Sequence, residues 1–285
     1  MRYDNEDGHE WHREERGVYS VLDLGYLKMI QTWGSDEAII ESARMSTDKG
    51  FLGWDPGPCP SCEGRGEIPI EDTPEFVRSC HDCNGKGTIP GDAKLLRYLY
   101  EHRHSTPFEF AGLTIEVQAP IMVFREWHRH RTQSYSEMSA RYVQMPNLHY
   151  VPSVRRIIDS ARKSGNRQAS GAGALNLPGV YPPEDREAQM AEEIRGLIRS
   201  EQARIYNLYE QLISFGVSKE VARLDTPVSR YSRMRATANL RNWLAFLTLR
   251  TDPNAQFEIR QYAACVSDVV RDVFPRTFAL FSEMP

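Results

Sequence analysis

The sequence predicts an α+β fold. Strand-like alternation near the N-terminus and in the middle of the chain is followed by several long helical stripes, without regular βαβ succession. The length of 285 residues bounds the answer to one or two domains with room for a substantial core. Hydrophobic residues make up 40% and charged residues 26% of the chain, as in soluble globular proteins. Lys plus Arg number 35 against 39 Asp plus Glu, a formal net charge of -4. That balance argues against a basic nucleic-acid coat and a polybasic membrane anchor, while leaving room for a local basic pocket. Charges interrupt every apolar run before the roughly 20 residues a membrane helix needs. The N-terminal MRYDNEDGHEWHREERG lacks the apolar stretch of a secretory signal; paired CxxC cysteines in an otherwise cysteine-poor chain point to a metal in a reducing compartment, and a cytoplasmic protein is expected.

Residues 1–18, dense in charge and histidine, read as a loose extension. Val18 to Gly25 reads as a strand ending at a glycine turn. Ser35 is suited to cap a helix with Asp36 and Glu37 in its first turn, running to about Met45. Residues 54–90 break the composition: rich in Gly, Pro, Cys and charge, they cannot build an ordinary core and read as an insertion held by metal. Asp92 is the expected cap of a helix bearing Leu95, Leu96 and Leu99 and ending near His104. Leu113, Ile115 and Val117 alternate as a half-buried strand, and Pro120 suits the first turn of a helix through Ile121, Phe124 and Trp127. Residues 159–183 read as a long loop. A stripe from Met190 to Leu212 predicts a helix over about 184–214, ended by Gly216. Further helices are expected around Leu240 to Leu247, and from about Ala255 through Val270.

The strongest compositional anomaly is RHRTQSYSEMSARY, Arg129 to Tyr142. Arg129, Arg131, Arg141 and His130 surround Ser134, Ser136, Ser139 and Glu137. Guanidinium forks match phosphate, and hydroxyls with backbone amides complete such a pocket. Only Glu126 and Glu137 lie close in sequence, so the cluster reads as undercompensated and suited to a small phosphorylated ligand. A solvated helix face paired with nearby carboxylates is the other reading.

Arg129-His130-Arg131, seven residues and then Ser139 resembles the RHRx7S signature of the flavin-dependent thymidylate synthases. His104-Ser105-Thr106-Pro107-Phe108-Glu109, Glu220-Val221-Ala222-Arg223, Asn239-Leu240-Arg241 and Leu249-Arg250 resemble further segments of that family in the same order. So do Ser42-Ala43-Arg44-Met45-Ser46 and the run from Ala255 to Tyr262. The resemblance spans residues 20–280, apart from the cysteine insertion and the loop near 160–180. It implies an enzyme domain over residues 19–285 with a mixed, antiparallel-rich sheet and packed helices, assembled as a homotetramer with sites at subunit contacts.

The same resemblance implies methylation of dUMP to dTMP, with FAD as cofactor, methylenetetrahydrofolate as one-carbon donor and NADPH as reductant. Arg129, His130, Arg131, His104, Thr106, Glu137, Asn239 and Arg241 are the flavin-binding residues it implies. For the nucleotide it implies Glu126, Arg129, Glu137, Met138, Ser139, Ala140, Arg141, Arg223 and Arg250. Arg250 would stabilise the ionised N3 edge of uracil, an electrostatic role fitting a side chain that stays protonated. Three positions depart from the family pattern: Ser136 for asparagine, Glu126 for glutamine, and Ala245 for asparagine. Glu126, which adds a negative charge, keeps open a flavin enzyme acting on another pyrimidine nucleotide. A nucleic-acid-binding zinc-ribbon protein with an inactive core is the alternative from another class.

Cys59-Pro-Ser-Cys62-Glu-Gly-Arg-Gly66 and Cys80-His-Asp-Cys83-Asn-Gly-Lys-Gly87 are two CxxCxGxG copies. Paired CxxC spacing in an otherwise cysteine-poor chain points to zinc held by Cys59, Cys62, Cys80 and Cys83. The pattern resembles half of the cysteine-rich domain of DnaJ-type chaperones. The zinc would be structural; the ribbon could order its own loop, cover an active-site entrance, or dock a protein or nucleic acid. Four cysteines fill the shell, which leaves His81 exposed. Cys265 reads as a buried structural thiol. Trp127 and Trp243 read as core, and His9, His12, His149 and Tyr150 are given no role.

Overall fold

A computed structural model of the chain describes residues 9–71, 73–165, 170–179 and 181–283. It contains the expected α+β mixture, with more strand at the N-terminus than the sequence suggests. β1 (Trp11–Glu15) and β2 (Val18–Val21) form an antiparallel hairpin, turned at Gly17 with φ of 76°. Residues 11–15 are therefore strand, not loose extension; residues 1–8 lie outside the described part. The charged side chains of β1 suit an edge strand, and Trp11 meets the buried Tyr19 edge-on at 5.9 Å. The strand expected to run from Val18 to Gly25 is broken at Leu22, whose φ is 58°. The chain then reverses into β3 (Gly25–Trp33), antiparallel to β2.

Helix α1 (Asp36–Arg44) starts where Ser35 predicts, its Oγ accepting the Ala38 amide at 3.2 Å. Within the cysteine insertion, β4 (Gly57–Pro58) is followed by β5 (Glu67–Ile70), β6 (Thr73–Ser79) and β7 (Thr88–Ile89). β4 pairs with β7 and β5 with β6, both antiparallel. Helix α2 (Asp92–Glu101) is capped by Gly91 rather than Asp92. Asp92 is the first helical residue, and its buried carboxylate accepts the Leu52 amide and the Arg44 guanidinium instead.

Strand β8 (Gly112–Pro120) and α3 (Ile121–Trp127) follow as expected. β9 (Ser134–Glu137) is a strand that the reading of the basic cluster did not anticipate. α4 (Val154–Ala161) takes the first residues of the expected loop, and α5 (Arg186–Ser214) is ended at Gly216 with φ of 84°. The short α6 (Lys219–Ala222), β10 (Tyr231–Asn239), α7 (Leu240–Arg250), α8 (Phe257–Val273) and α9 (Pro275–Glu283) complete the described chain.

The main sheet has the order β1-β2-β3-β8-β10-β9. The chain divides into two compact units. The first comprises the residues up to Ile30, Thr114–Thr237 and Phe246–Ser267. Trp127 is fully buried there, 4.7 Å from the Phe246 ring, as are Tyr19, Ile115, Tyr262 and Cys265. The second comprises Gln31–Leu113, Ala238–Ala245 and the residues from Asp268 on. In it Asp36 caps α9 from outside, accepting the Arg276 and Thr277 amides at 2.8 and 3.1 Å and the Thr277 hydroxyl at 2.6 Å. Trp243 is buried, as expected, and its indole donates to the Leu113 carbonyl at 3.0 Å. Among the described residues no helix is long and apolar enough to cross a membrane.

Candidate active site

In the first unit, the end of α3, the turn after it and the end of α7 bring Glu126, His130 and Arg250 together. Arg250 donates from Nε to His130 Nε2 at 2.9 Å, from Nη1 to Glu126 Oε2 at 2.8 Å, and from Nη2 to the Glu126 carbonyl at 2.9 Å. Three bonds in different directions fix a planar guanidinium in place. Its side chain is 14% exposed and that of Glu126 37% exposed, so the cation is mostly withdrawn from water while its partner carboxylate stays open to it.

His130 is buried, with the Phe246 ring edge-on at 4.9 Å. Burial, and then the Arg250 charge, push its imidazole down to about 4. At neutral pH it is therefore uncharged, and as the acceptor from Arg250 it carries its proton on Nδ1. Tyr135 donates to the Trp127 and His130 carbonyls at 3.1 and 2.7 Å. It holds the turn that presents Arg129 and Arg131, both exposed.

β9 pairs with β10 through Glu137↔Met234 and Ser136↔Arg235. Met138 continues that ladder by donating its amide to the Arg233 carbonyl at 2.8 Å. Ser139 then closes a turn, accepting the Arg141 amide on its Oγ at 3.3 Å. Ala140 is buried beneath it. Arg141 pairs with Glu220 at 3.2 Å, and Lys219 donates to the Tyr142 carbonyl at 2.9 Å. The segment ending the signature is thus tied to α6, whose next residue is Arg223.

The second unit holds the other expected residues. His104 follows α2, and Thr106 opens a short 3-10 turn, Thr106–Glu109. Glu109 pairs with Arg241 at 2.5 Å. Asn239 accepts the Asn242 amide at 3.0 Å and so caps α7. The expected flavin residues divide between the units: Arg129, His130, Arg131 and Glu137 in the first, His104, Thr106, Asn239 and Arg241 in the second. His104, Thr106, Arg129, Arg131 and Arg241 are exposed. Within the first unit, the exposed Arg129 and Arg131 supply cations that fit an anionic group such as FAD.

The expectation of undercompensated charge holds only in part. Arg250, Arg141, Arg241 and Arg235 each meet a carboxylate, from Glu126, Glu220, Glu109 and Glu116 respectively. Most of these partners are distant in sequence, which is why counting neighbouring carboxylates missed them. Arg129, Arg131 and Arg223 have no ion pair among the described residues. Phe246, which packs on His130, was also missed: 116 residues away, it reads as one more core aromatic on a helical stripe.

Elsewhere, the Sγ atoms of Cys59, Cys62, Cys80 and Cys83 all lie within 4.8 Å of one another, buried and without disulfides. His81 is 57% exposed, as expected for a residue outside the cluster.

Residues 28–276 match the family described as thymidylate synthase complementing protein. The flavin-dependent thymidylate synthase of Thermosipho africanus is 32% identical over 263 residues, covering 92% of this chain and 93% of that protein. A flavin-dependent thymidylate synthase of Thermus thermophilus is also 32% identical, covering 92% of this chain and 77% of that protein. Among solved structures, the UMP/dUMP methylase PolB from Streptomyces cacaoi bound with 5-Br dUMP superposes with a TM-score of 0.65 at 28% identity, covering 92% of this chain and 96% of that one. The chain belongs to the flavin-dependent thymidylate synthase family.

Proposed function

We propose that this chain methylates dUMP to dTMP, with methylenetetrahydrofolate as one-carbon donor, NADPH as reductant and FAD as cofactor. Family membership supports the reaction class, and the fixed cation at Arg250 is the observation that carries the chemistry. A guanidinium held by three bonds needs no reorganisation when negative charge develops beside it. Placed against the N3 edge of uracil, it favours the ionised ring and so enriches C5 as a nucleophile. Neutral His130 accepts from Arg250 without adding a second charge, and Glu126 orients the opposite edge of the fork. Glu126 is thus a positioning group in this reading as well as a neighbour of the substrate.

Arg141 and Arg223 are proposed for the nucleotide phosphate, with Glu137, Met138, Ser139 and Ala140 shaping the same stretch and Arg129 reaching both ligands. Their side chains sit on segments already tied together through Glu220 and Lys219. Flavin binding is assigned to Arg129, His130, Arg131, Glu137, His104, Thr106, Asn239 and Arg241; the bound flavin supplies hydride. Residues 19–285 form the enzyme domain in this reading, with 54–90 inserted. A homotetramer with sites at subunit contacts is supported by the exposed Tyr142, Val143, Val221 and Leu224, which flank Arg141 and Arg223.

A second reading, methylation of UMP, is favoured by the name of the Streptomyces cacaoi enzyme and by Glu126 at an unusual position. The test is incubation of the flavin-loaded protein with dUMP and UMP in competition, with products identified by mass. Thymidylate as the main product supports the proposal. A methylated ribonucleotide selects the second reading, and a hydroxymethyl product overturns both.

A further inference from the structure

The cysteine cluster contributes nothing to the chemistry proposed above, yet its two halves are built alike. Gly66 donates its amide to Cys62 Sγ and Gly87 donates to Cys83 Sγ, each at 3.2 Å. Cys59 N donates to the Gly87 carbonyl and Cys80 N to the Gly66 carbonyl, each at 2.8 Å. Each CxxC turn passes through a left-handed residue, Glu63 or Asn84, both at φ of 52°. The two turns interlock so closely that a Cβ on Gly66 would lie 2.5 Å from the Gly85 carbonyl oxygen, and one on Gly87 would lie 2.3 Å from that of Gly64.

The sulfur geometry fits a tetrahedral metal such as zinc. Cys59 and Cys80 are 3.9 Å apart at Sγ, and Cys62 and Cys83 are 3.8 Å apart. A zinc–sulfur bond of about 2.3 Å gives a regular tetrahedron edges of about 3.8 Å. Disulfides would need roughly half that separation. Nor does the insertion have another way to hold itself. Among the described residues its buried core is the four cysteines and Ile89, with Leu52 and Ile68 packed against it, too little apolar surface for a segment of this size to stand alone.

The neck of the insertion ends in the helices of the second unit. Asp92 N donates to the Gly53 carbonyl at 2.8 Å, and Leu52 N donates back to the Asp92 carboxylate at 2.8 Å. The same carboxylate meets Arg44 at the end of α1. Lys49 reaches from just beyond α1 into the second cysteine turn, donating to the Asp82 carbonyl at 3.0 Å.

We propose that Cys59, Cys62, Cys80 and Cys83 bind one Zn²⁺ as a tetrathiolate, and that this ion is a clip holding the end of α1 to the start of α2 through the Lys49 and Asp92 contacts. The metal then organises the Arg44–Asp92 junction of the enzyme domain as well as its own loop. Metal binding supplies the folding free energy that the small core cannot.

The full-length protein, purified without chelator, is expected to carry one zinc per chain by elemental analysis. Exchange for Co²⁺ should give the sulfur-to-cobalt charge-transfer bands of a tetrathiolate site. Stripping the metal should speed hydrogen exchange in peptides covering residues 44–54 and 88–96, and Cys83→Ser should reproduce that loss. If Cys83→Ser does not fold, the stoichiometry, the cobalt spectrum and the stripped wild-type chain still decide. Protein without stoichiometric metal, its four thiols reacting freely, overturns the site. Unchanged exchange in both peptides after the metal is removed overturns the clip. Neither result depends on which nucleotide the enzyme methylates.

Discussion

The thiols of the insertion find their hydrogen-bond donors four residues away, whereas Arg250 finds His130 and Glu126 at separations of 120 and 124 residues. The insertion is a local construction, in which repeated CxxC turns generate repeated amide-to-sulfur bonds. The arginine site exists only once α3, the turn after it and α7 are in place. The difference teaches where each kind of site is vulnerable. A local site fails when its own turns are disturbed, and a distributed one fails when a single distant partner is removed.

The largest effect is expected at the distributed site. Arg250→Ala should lower turnover by about 100-fold or more, the usual scale for losing an electrostatic stabiliser, while flavin absorbance per chain stays near wild type. Flavin loss in step with activity would mean that Arg250 holds the cofactor instead of acting on the pyrimidine.

At the local site, Gly87→Ala should destabilise the insertion by about 1–3 kcal/mol, through its positive φ and its contact with the Gly64 carbonyl. Limited proteolysis of residues 54–90 reads that effect. Gly57→Ala, with open space around the new Cβ, is the control and should be near neutral. Equal sensitivity of the two would break the claim that the turns interlock.

Glu126→Gln should act more mildly. It keeps an acceptor for Arg250 but removes the competing negative charge, so KM for dUMP should fall by a few-fold, about 1 kcal/mol, with kcat changed less. A large kcat loss would show that the carboxylate itself takes part in the chemistry.

The smallest effect is on acid stability. Burial, and then a neighbouring arginine, depress both His130 and His149 to about 4. Unfolded histidine titrates near 6.5, so between about 6.5 and 4 the unfolded chain binds protons that the folded chain does not. Their contribution to stability is therefore present above that window and lost as pH falls through it. Asp23 and Asp36, raised by burial, act in the opposite sense, their contribution fading as pH rises. His149→Gln isolates the histidine part and should flatten the fall in Tm between pH 6.5 and 4; an unchanged profile would contradict it.

What could be read from the sequence follows the same division. The Ser35 cap, the alternation of β8, the helix of α5 and the cysteine pairs are local patterns, and each appears where expected, although Leu197 and Leu208 of the α5 stripe are exposed and Gln202 and Tyr209 are buried instead. β1 was hidden because an edge strand needs little apolar alternation, and its charges looked like those of an extension. β9 is four residues inside a basic cluster and owes its ladder to β10, about a hundred residues later. Asp92 has the residue type of a cap, yet Arg44 and the Leu52 amide take its carboxylate, information absent from its neighbours. In the candidate site, the family resemblance points to His130, Glu126 and Arg250, which the fold brings together. The ion pairs that moderate the charge were not, because they join residues far apart in the chain.

The most direct test of the central claim is tritium release from C5-labelled dUMP by flavin-loaded protein supplied with methylenetetrahydrofolate and NADPH. Release matched by thymidylate formation is expected, with both depending on the folate and the reductant. A yellow, folded protein that binds dUMP but yields no thymidylate with both co-substrates present would contradict it.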